Sequence, residues 1–309
     1  MNSSFAWLIR RELWESRAVW VAPAICGAIL IIATLIGGLQ VGEVRIANLA
    51  DPAVAAKIEA LGGDAIPRLS RLLLLAIAVP FYITVMFTQF FYALDALSSD
   101  RRDRSVLFWK SMPVSDAATV GSKFAVAVLV IPLVALAAAL LSQVVLSSMV
   151  ALKLSGTELE FTQHLWTAGT WLPAIGATLY GALAVILWSV PLVGWLLLVS
   201  AVVPRSPFLW AVLPPLAVAL VEDVLFDSSY FIHLIAERTL GVFAAAFSGT
   251  EQVGATVRIG PEDGLPPRVE HLMQPVEFLT SADLLGGLVV GALLVAGAIW
   301  ARRYRDDNG

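Results

Sequence analysis

Few residues in this 309-residue chain combine chemical reactivity with an apolar setting. Three acidic side chains do: Asp95, near the end of one apolar run, and the adjacent pair Glu222 and Asp223, near the end of another. Carboxylates so placed can bind a cation or gate a path through a membrane. Interface solvation explains Glu222 and Asp223 about as well, and for Asp95 an interface group capped by solvent or paired with a nearby arginine is the better reading. No histidine or arginine stands one or two helical turns from Glu222 and Asp223 within their run, so a catalytic centre there lacks its partners. The three histidines, His164, His233 and His271, have no metal-ligand spacing, and no metal is expected. The single cysteine, Cys26, excludes a disulfide within one chain. Gln89, Ser142, Gln143 and Ser147 are neutral polar groups inside apolar runs. Hydrogen bonding between helices is their ordinary use, and Gln143 is also a candidate for lining a translocation path. A phosphate loop of the form G-x-x-x-x-G-K-[S/T] is missing, and the sequence has no Gly-Lys dipeptide. The chain is therefore expected to bind no nucleotide or other cofactor and not to be an enzyme by itself.

The elements that position these groups follow from composition. Apolar residues make up 59% and charged residues 14%, against roughly 45–50% and 25% in a soluble domain. Unbroken apolar runs place membrane spans at about 19–39, 72–97, 124–150, 171–203, 207–224 and 284–300. Each must be helical, because an open strand in lipid leaves backbone polar groups unpaired. The 171–203 run contains Pro191; too long for one upright helix and too short for two spans with a turn, it predicts one tilted or kinked helix. The expected fold is all-α and polytopic, a single transmembrane domain over 1–309 with six transmembrane helices.

Basic residues orient it. With the N-terminus inside, segments 1–18, 98–123, 204–206 and 301–309 hold 12 of the 20 lysines and arginines, and the longer segments 40–71, 151–170 and 225–280 hold 8. The positive-inside rule thus puts both termini in the cytoplasm, which six spans satisfy.

Three non-spanning pieces carry further pattern. Over 5–18, Phe5, Ile9 and Leu13 share one helical face while Arg10, Arg11, Glu12 and Glu15 spread over the rest, predicting an amphipathic helix in the inner interface. Over 99–112, Ser98 or Ser99 can cap a short helix with Asp100 in its first turn, Met112-Pro113 ends it, and Ser115-Asp116 caps the next. That helix carries Arg101, Arg102 and Arg104 and then Leu107, Phe108 and Trp109, a mixture suited to docking on another protein or to dipping into lipid. The segment 225–280 predicts one or two helices that re-enter or lie on the outer leaflet, followed by an irregular loop. The loop near 40–70 holds a plausible short helix from Asp51-Pro52.

The RRELWESR start, the six spans and the RRDRSVLFWKSMPVSD loop resemble permease subunits of the type-2 ATP-binding-cassette exporters across nearly the whole chain. The resemblance implies that 5–18 is an elbow helix and 99–112 a coupling helix seated in a groove of a separate ATPase subunit. Arg101, Arg102, Arg104, Leu107, Phe108 and Trp109 would make that contact. It implies two ATPase copies that bind ATP and Mg, a second permease subunit in a homodimer, contact with membrane lipids but no nucleic acid, and residence in a bacterial inner membrane. Asp95, Gln143, Glu222 and Asp223 would then be candidates for the translocation path or gate. An ion-coupled secondary transporter or channel, and an intramembrane enzyme, are the alternative classes.

Overall fold

The computed structural model describes residues 2–36, 40–41, 44–45, 63–102, 115–155, 161–203, 205–248 and 268–305. The expected helix at Asp51-Pro52 lies outside them, as do Arg104, Leu107, Phe108 and Trp109 of the expected coupling helix and the side chains of Arg101 and Arg102.

The described chain is mostly helical, with a two-residue antiparallel ladder, β1 (Gln40–Val41) with β2 (Val44–Arg45), and an isolated antiparallel bridge between Phe247 and Met273. The helices are α1 (Asn2–Glu15), α2 (Ala18–Ile36), α3 (Ala65–Ala96), α4 (Ser98–Arg102), α5 (Asp116–Ala125), α6 (Ile131–Leu154), α7 (Phe161–Leu165), α8 (Ala168–Trp188) and α9 (Val190–Val202). They continue as α10 (Pro207–Phe226), α11 (Tyr230–Leu240), α12 (Val242–Ala246), α13 (Val269–Leu272), α14 (Pro275–Thr280) and α15 (Ala282–Arg305). A π-helical turn, Val126–Val130, joins α5 to α6. Among the described residues, six helical stretches are long and apolar enough to cross a membrane: Ala18–Ile36, Ala65–Asp100, Asp116–Leu154, Ala168–Trp188, Pro207–Phe226 and Ala282–Tyr304. Large apolar side chains on α2 (Trp20, Ile25, Ile29, Ile32) and α10 (Phe208, Trp210, Leu213, Leu220) face outward. So broad an uncovered apolar surface fits a hydrocarbon solvent and not water.

α3 is the axis, packed by α2, α6, α8 and α9, whereas α2 and α10 lie at the periphery. The 171–203 stretch forms two helices, α8 and α9, meeting at Ser189. Ser189 N still donates to Val185 O, and Val193 N to Ser189 O, so the path continues across the break. The cause is Pro191, which has no N–H to give. Thr178 contacts the Leu74 level of α3 through Gln143, and Ser200 bonds Leu94, so α8 and α9 together run parallel to α3 along its length. Glycines let α9 and α15 approach closely. A Cβ on Gly194 would sit 2.9 Å from Gly291 O, and one on Gly291 would sit 3.0 Å from Pro191 N.

Prolines inside spans free carbonyls, and neighbouring helices take them. In the π-turn, Ile131 N donates to Val126 O, five residues back. The matching donor for Ala127 O would be Pro132, which has none, and Gln89 Nε2 from α3 fills the vacancy at 2.9 Å. Pro215 likewise frees Ala211 O on α10, and the Trp195 indole of α9 donates to it at 3.1 Å. Trp195→Phe keeps the packing but orphans that carbonyl. It should lower stability by about 1–3 kcal/mol, read as a fall in the unfolding midpoint in micelles; an unchanged midpoint would contradict this role.

Candidate functional site

Both ends of the described chain meet at one face of the bundle, the terminal face, and a buried charge network joins them there. α1 brings Glu12, which lies beside Ile9 and Leu13 on the side that packs against the core. Phe5 is partly exposed, 3.8 Å from the position of a Cβ on Gly121. Trp7 and Trp14 face outward with the Arg10 guanidinium 5.4 and 5.7 Å from their ring centres. The amphipathic pattern assigned Glu12 to the polar side. It is buried because the inward surface of α1 meets α5 and its Lys123.

Lys123 is the hub, with a side chain only 2% exposed. Its Nζ lies 3.0 Å from Glu12 Oε1 and 3.5 Å from Asp100 Oδ1. Asp100, in α4, gives its other oxygen to Arg302 Nη1 at 3.3 Å, and Arg302 Nε reaches Asp116 Oδ1 at 3.1 Å. The Tyr92 hydroxyl of α3 donates to Glu12 Oε2 at 3.0 Å. Among the described residues three carboxylates thus meet two cations and one hydroxyl, and charges buried as deeply as Lys123, Asp100 and Glu12 persist only when paired.

Local sequence sets the two ends of the loop between α4 and α5. Ser115 Oγ accepts from Ala118 N at 3.2 Å, capping α5, and Asp116 lies in the first turn, where the helix dipole favours an anion. At the other end, Leu97 N and Ser98 N donate to Ser200 Oγ of α9 at 3.1 and 3.0 Å. Arg302 therefore grips Asp100 and Asp116, which flank the 103–114 segment, from the last turns of α15.

The residues singled out by sequence for a path are dispersed. Asp95 is exposed on α3. Gln143 is fully buried, and its Nε2 donates to Leu74 O at 2.8 Å and Thr178 Oγ1 at 2.9 Å, tying α6 to α3 and α8. The Tyr82 hydroxyl donates to Thr178 O in the same knot. Glu222 accepts from Ser228 Oγ at 2.8 Å and Phe231 N at 2.7 Å, so its carboxylate caps the start of α11. Asp223 is exposed. Among the described residues no three His, Cys, Asp or Glu side chains are grouped to hold a metal ion. Glu12, Lys123, Asp116, Tyr92 and Arg302 were not marked by sequence as site residues. Their only signal is that each is polar at the end of an apolar helix, which ordinary flanking residues share.

No protein-family model matches the chain, and no curated protein or solved structure matches it.

Arg302→Met leaves Asp100 buried with one fewer counter-charge and Asp116 without its guanidinium. The expected loss is roughly 3–5 kcal/mol, measured by unfolding in micelles. Tyr92→Phe, which removes only the hydroxyl on Glu12, should cost about 1.5–3 kcal/mol. Equal, negligible effects from both would show that the network contributes nothing to stability.

Proposed function

We propose that this chain is the membrane-spanning permease subunit of an ATP-driven exporter, resembling the type-2 ATP-binding-cassette class. It resides in a bacterial cytoplasmic membrane with both termini on the cytoplasmic side. The observation that carries the reading is the grip of Arg302 on Asp100 and Asp116, at the two ends of the 103–114 segment. A loop that only joins two helices has no use for a buried anchor at its base. A loop that receives force does, because the load must pass into the spans without being lost in local bending.

In this reading the 99–112 segment is the coupling helix and α1 the elbow helix. Two permease copies pair, and two separate ATPase subunits bind ATP and Mg. Closure of the ATPase subunits moves the coupling helix. Asp100 and Asp116 pass that motion to α15 through Arg302, and Asp100 passes it to α5 and α1 through Lys123. Phe108 and Trp109 make the buried contact, while Arg101, Arg102 and Arg104 meet acidic groups on the ATPase surface. Trp7, Trp14 and Trp20 on the outward side of α1 and the start of α2 suit an elbow lying among lipid headgroups.

The test is purification of the tagged chain in nanodiscs, with identification of copurifying proteins and an ATPase assay. The expected result is a nucleotide-binding partner in equal amount. Trp109→Ala should weaken that association by about 2 kcal/mol or more, and Arg101→Ala by under about 1 kcal/mol. A chain that purifies alone, with no ATP-hydrolysing partner found, would overturn the proposal.

A further inference from the structure

At the face opposite the termini, α10 ends and the chain turns back. The Glu222 cap starts α11, and the following α12 buries Val242 and Ala246 in the core, where the Tyr180 hydroxyl donates to Ala246 O at 2.8 Å. This re-entry carries Arg238 to Trp188, near the middle of the α8–α9 path, and to Gly287, the sixth residue of the apolar helix α15. A guanidinium at such a position is costly in a bilayer unless something answers its charge.

The protein answers it only in part. The guanidinium carbon lies 4.7 Å from the centre of the Trp188 ring, and Nη2 donates to the backbone carbonyl of Asp283 at 2.6 Å. Nη1 is buried and has no hydrogen-bond partner. The carboxylates nearby do not close the account. Asp283 Oδ1 is 3.9 Å away on a side chain 80% exposed, and the adjacent Glu237 is exposed on α11. Gly287 makes room for the group, since a Cβ there would come within 2.8 Å of Nη1. Arg238 also lines a cavity of about 20 Å³ whose wall is mostly apolar (Met86, Val185, Trp188, Leu192, Val242), with Gln89, Ser189 and Thr239 its other polar residues and no carboxylate among them. That volume admits one oxygen-sized group.

We infer that Arg238, braced on Trp188, binds the anionic oxygen head of an amphiphile whose hydrocarbon tail lies in the membrane. The unpartnered Nη1 donor supplies the recognition, and the surrounding apolar helices accommodate the tail. A charge-assisted hydrogen bond from the guanidinium of a side chain 22% exposed is the strongest polar contact available there. The head belongs either to a resident phospholipid or to another acidic amphiphile, and both present the same oxygens. The inference does not rest on the exporter reading, and failure to find an ATPase partner leaves it standing.

The experiment is isothermal titration of the full chain in neutral detergent with decyl phosphate, and with decyltrimethylammonium as the cationic match for chain length. The wild type should bind the phosphate at least about tenfold more tightly. Arg238→Gln should abolish the difference, and Arg238→Lys should restore part of it. Competition by phosphatidylglycerol identifies the headgroup of a resident lipid as the occupant. Binding of decyl phosphate without such competition assigns the site to a different acidic amphiphile, and either result supports the proposal. A wild type that does not distinguish phosphate from ammonium overturns it, whether or not the variants fold.

Discussion

Lys123 and Arg302 are two cations withdrawn from solvent at the terminal face, and the arrangement of four separate segments depends on keeping them paired. Each was brought in at a desolvation cost that only close carboxylates can offset. Glu12 therefore fixes where α1 lies, Asp100 fixes the turn after α3, and Asp116 fixes the start of α5. None of these positions is set by apolar packing alone, because in lipid one apolar surface is nearly as good as another. Charge supplies the specificity that hydrophobic burial cannot.

The interior of the bundle follows the same logic with neutral groups. Gln89, Gln143, Trp195 and Tyr82 each donate across a helix boundary to a backbone carbonyl. Two of those carbonyls are free because a proline removed their usual donor. Proline and polar partner thus act as complementary halves, one opening a hydrogen-bond position and the other closing it from the next helix. Where helices must come closest, at Gly194 and Gly291, the side chain is omitted.

Much of this was legible in the sequence. Hydrocarbon thickness imposes long apolar runs, so six stretches able to span could be read from composition, and Ser115 followed by Asp116 announced a helix start. The break within 171–203 was signalled by Pro191, although the two helices meet one residue before the pair Val190-Pro191. The charge network was not legible. Glu12, Lys123 and Arg302 look like flanking charges, and orientation rules count such residues without asking what they touch. Their partners are far apart in the chain: Arg302 lies 202 residues from Asp100 and 186 from Asp116, so no local spacing could reveal them. Glu222 shows what an apolar run's end leaves open: its place fits a gate or an interface group equally, and its local engagement, nine residues ahead by Phe231 N, is visible only in the fold.

The π-turn at Val126–Val130 has a consequence for the third span as a rotor. One extra residue in a turn offsets everything before it by about 100° relative to everything after it. α6 must present Gln143 toward Leu74 and Thr178, while α5 must present Lys123 toward Glu12 and Asp100. In an uninterrupted α-helix of this sequence those two bearings would be locked together by residue count. The turn uncouples them, so the polar knot in the bundle and the ionic anchor at its face each keep their own angular phase along one continuous rod.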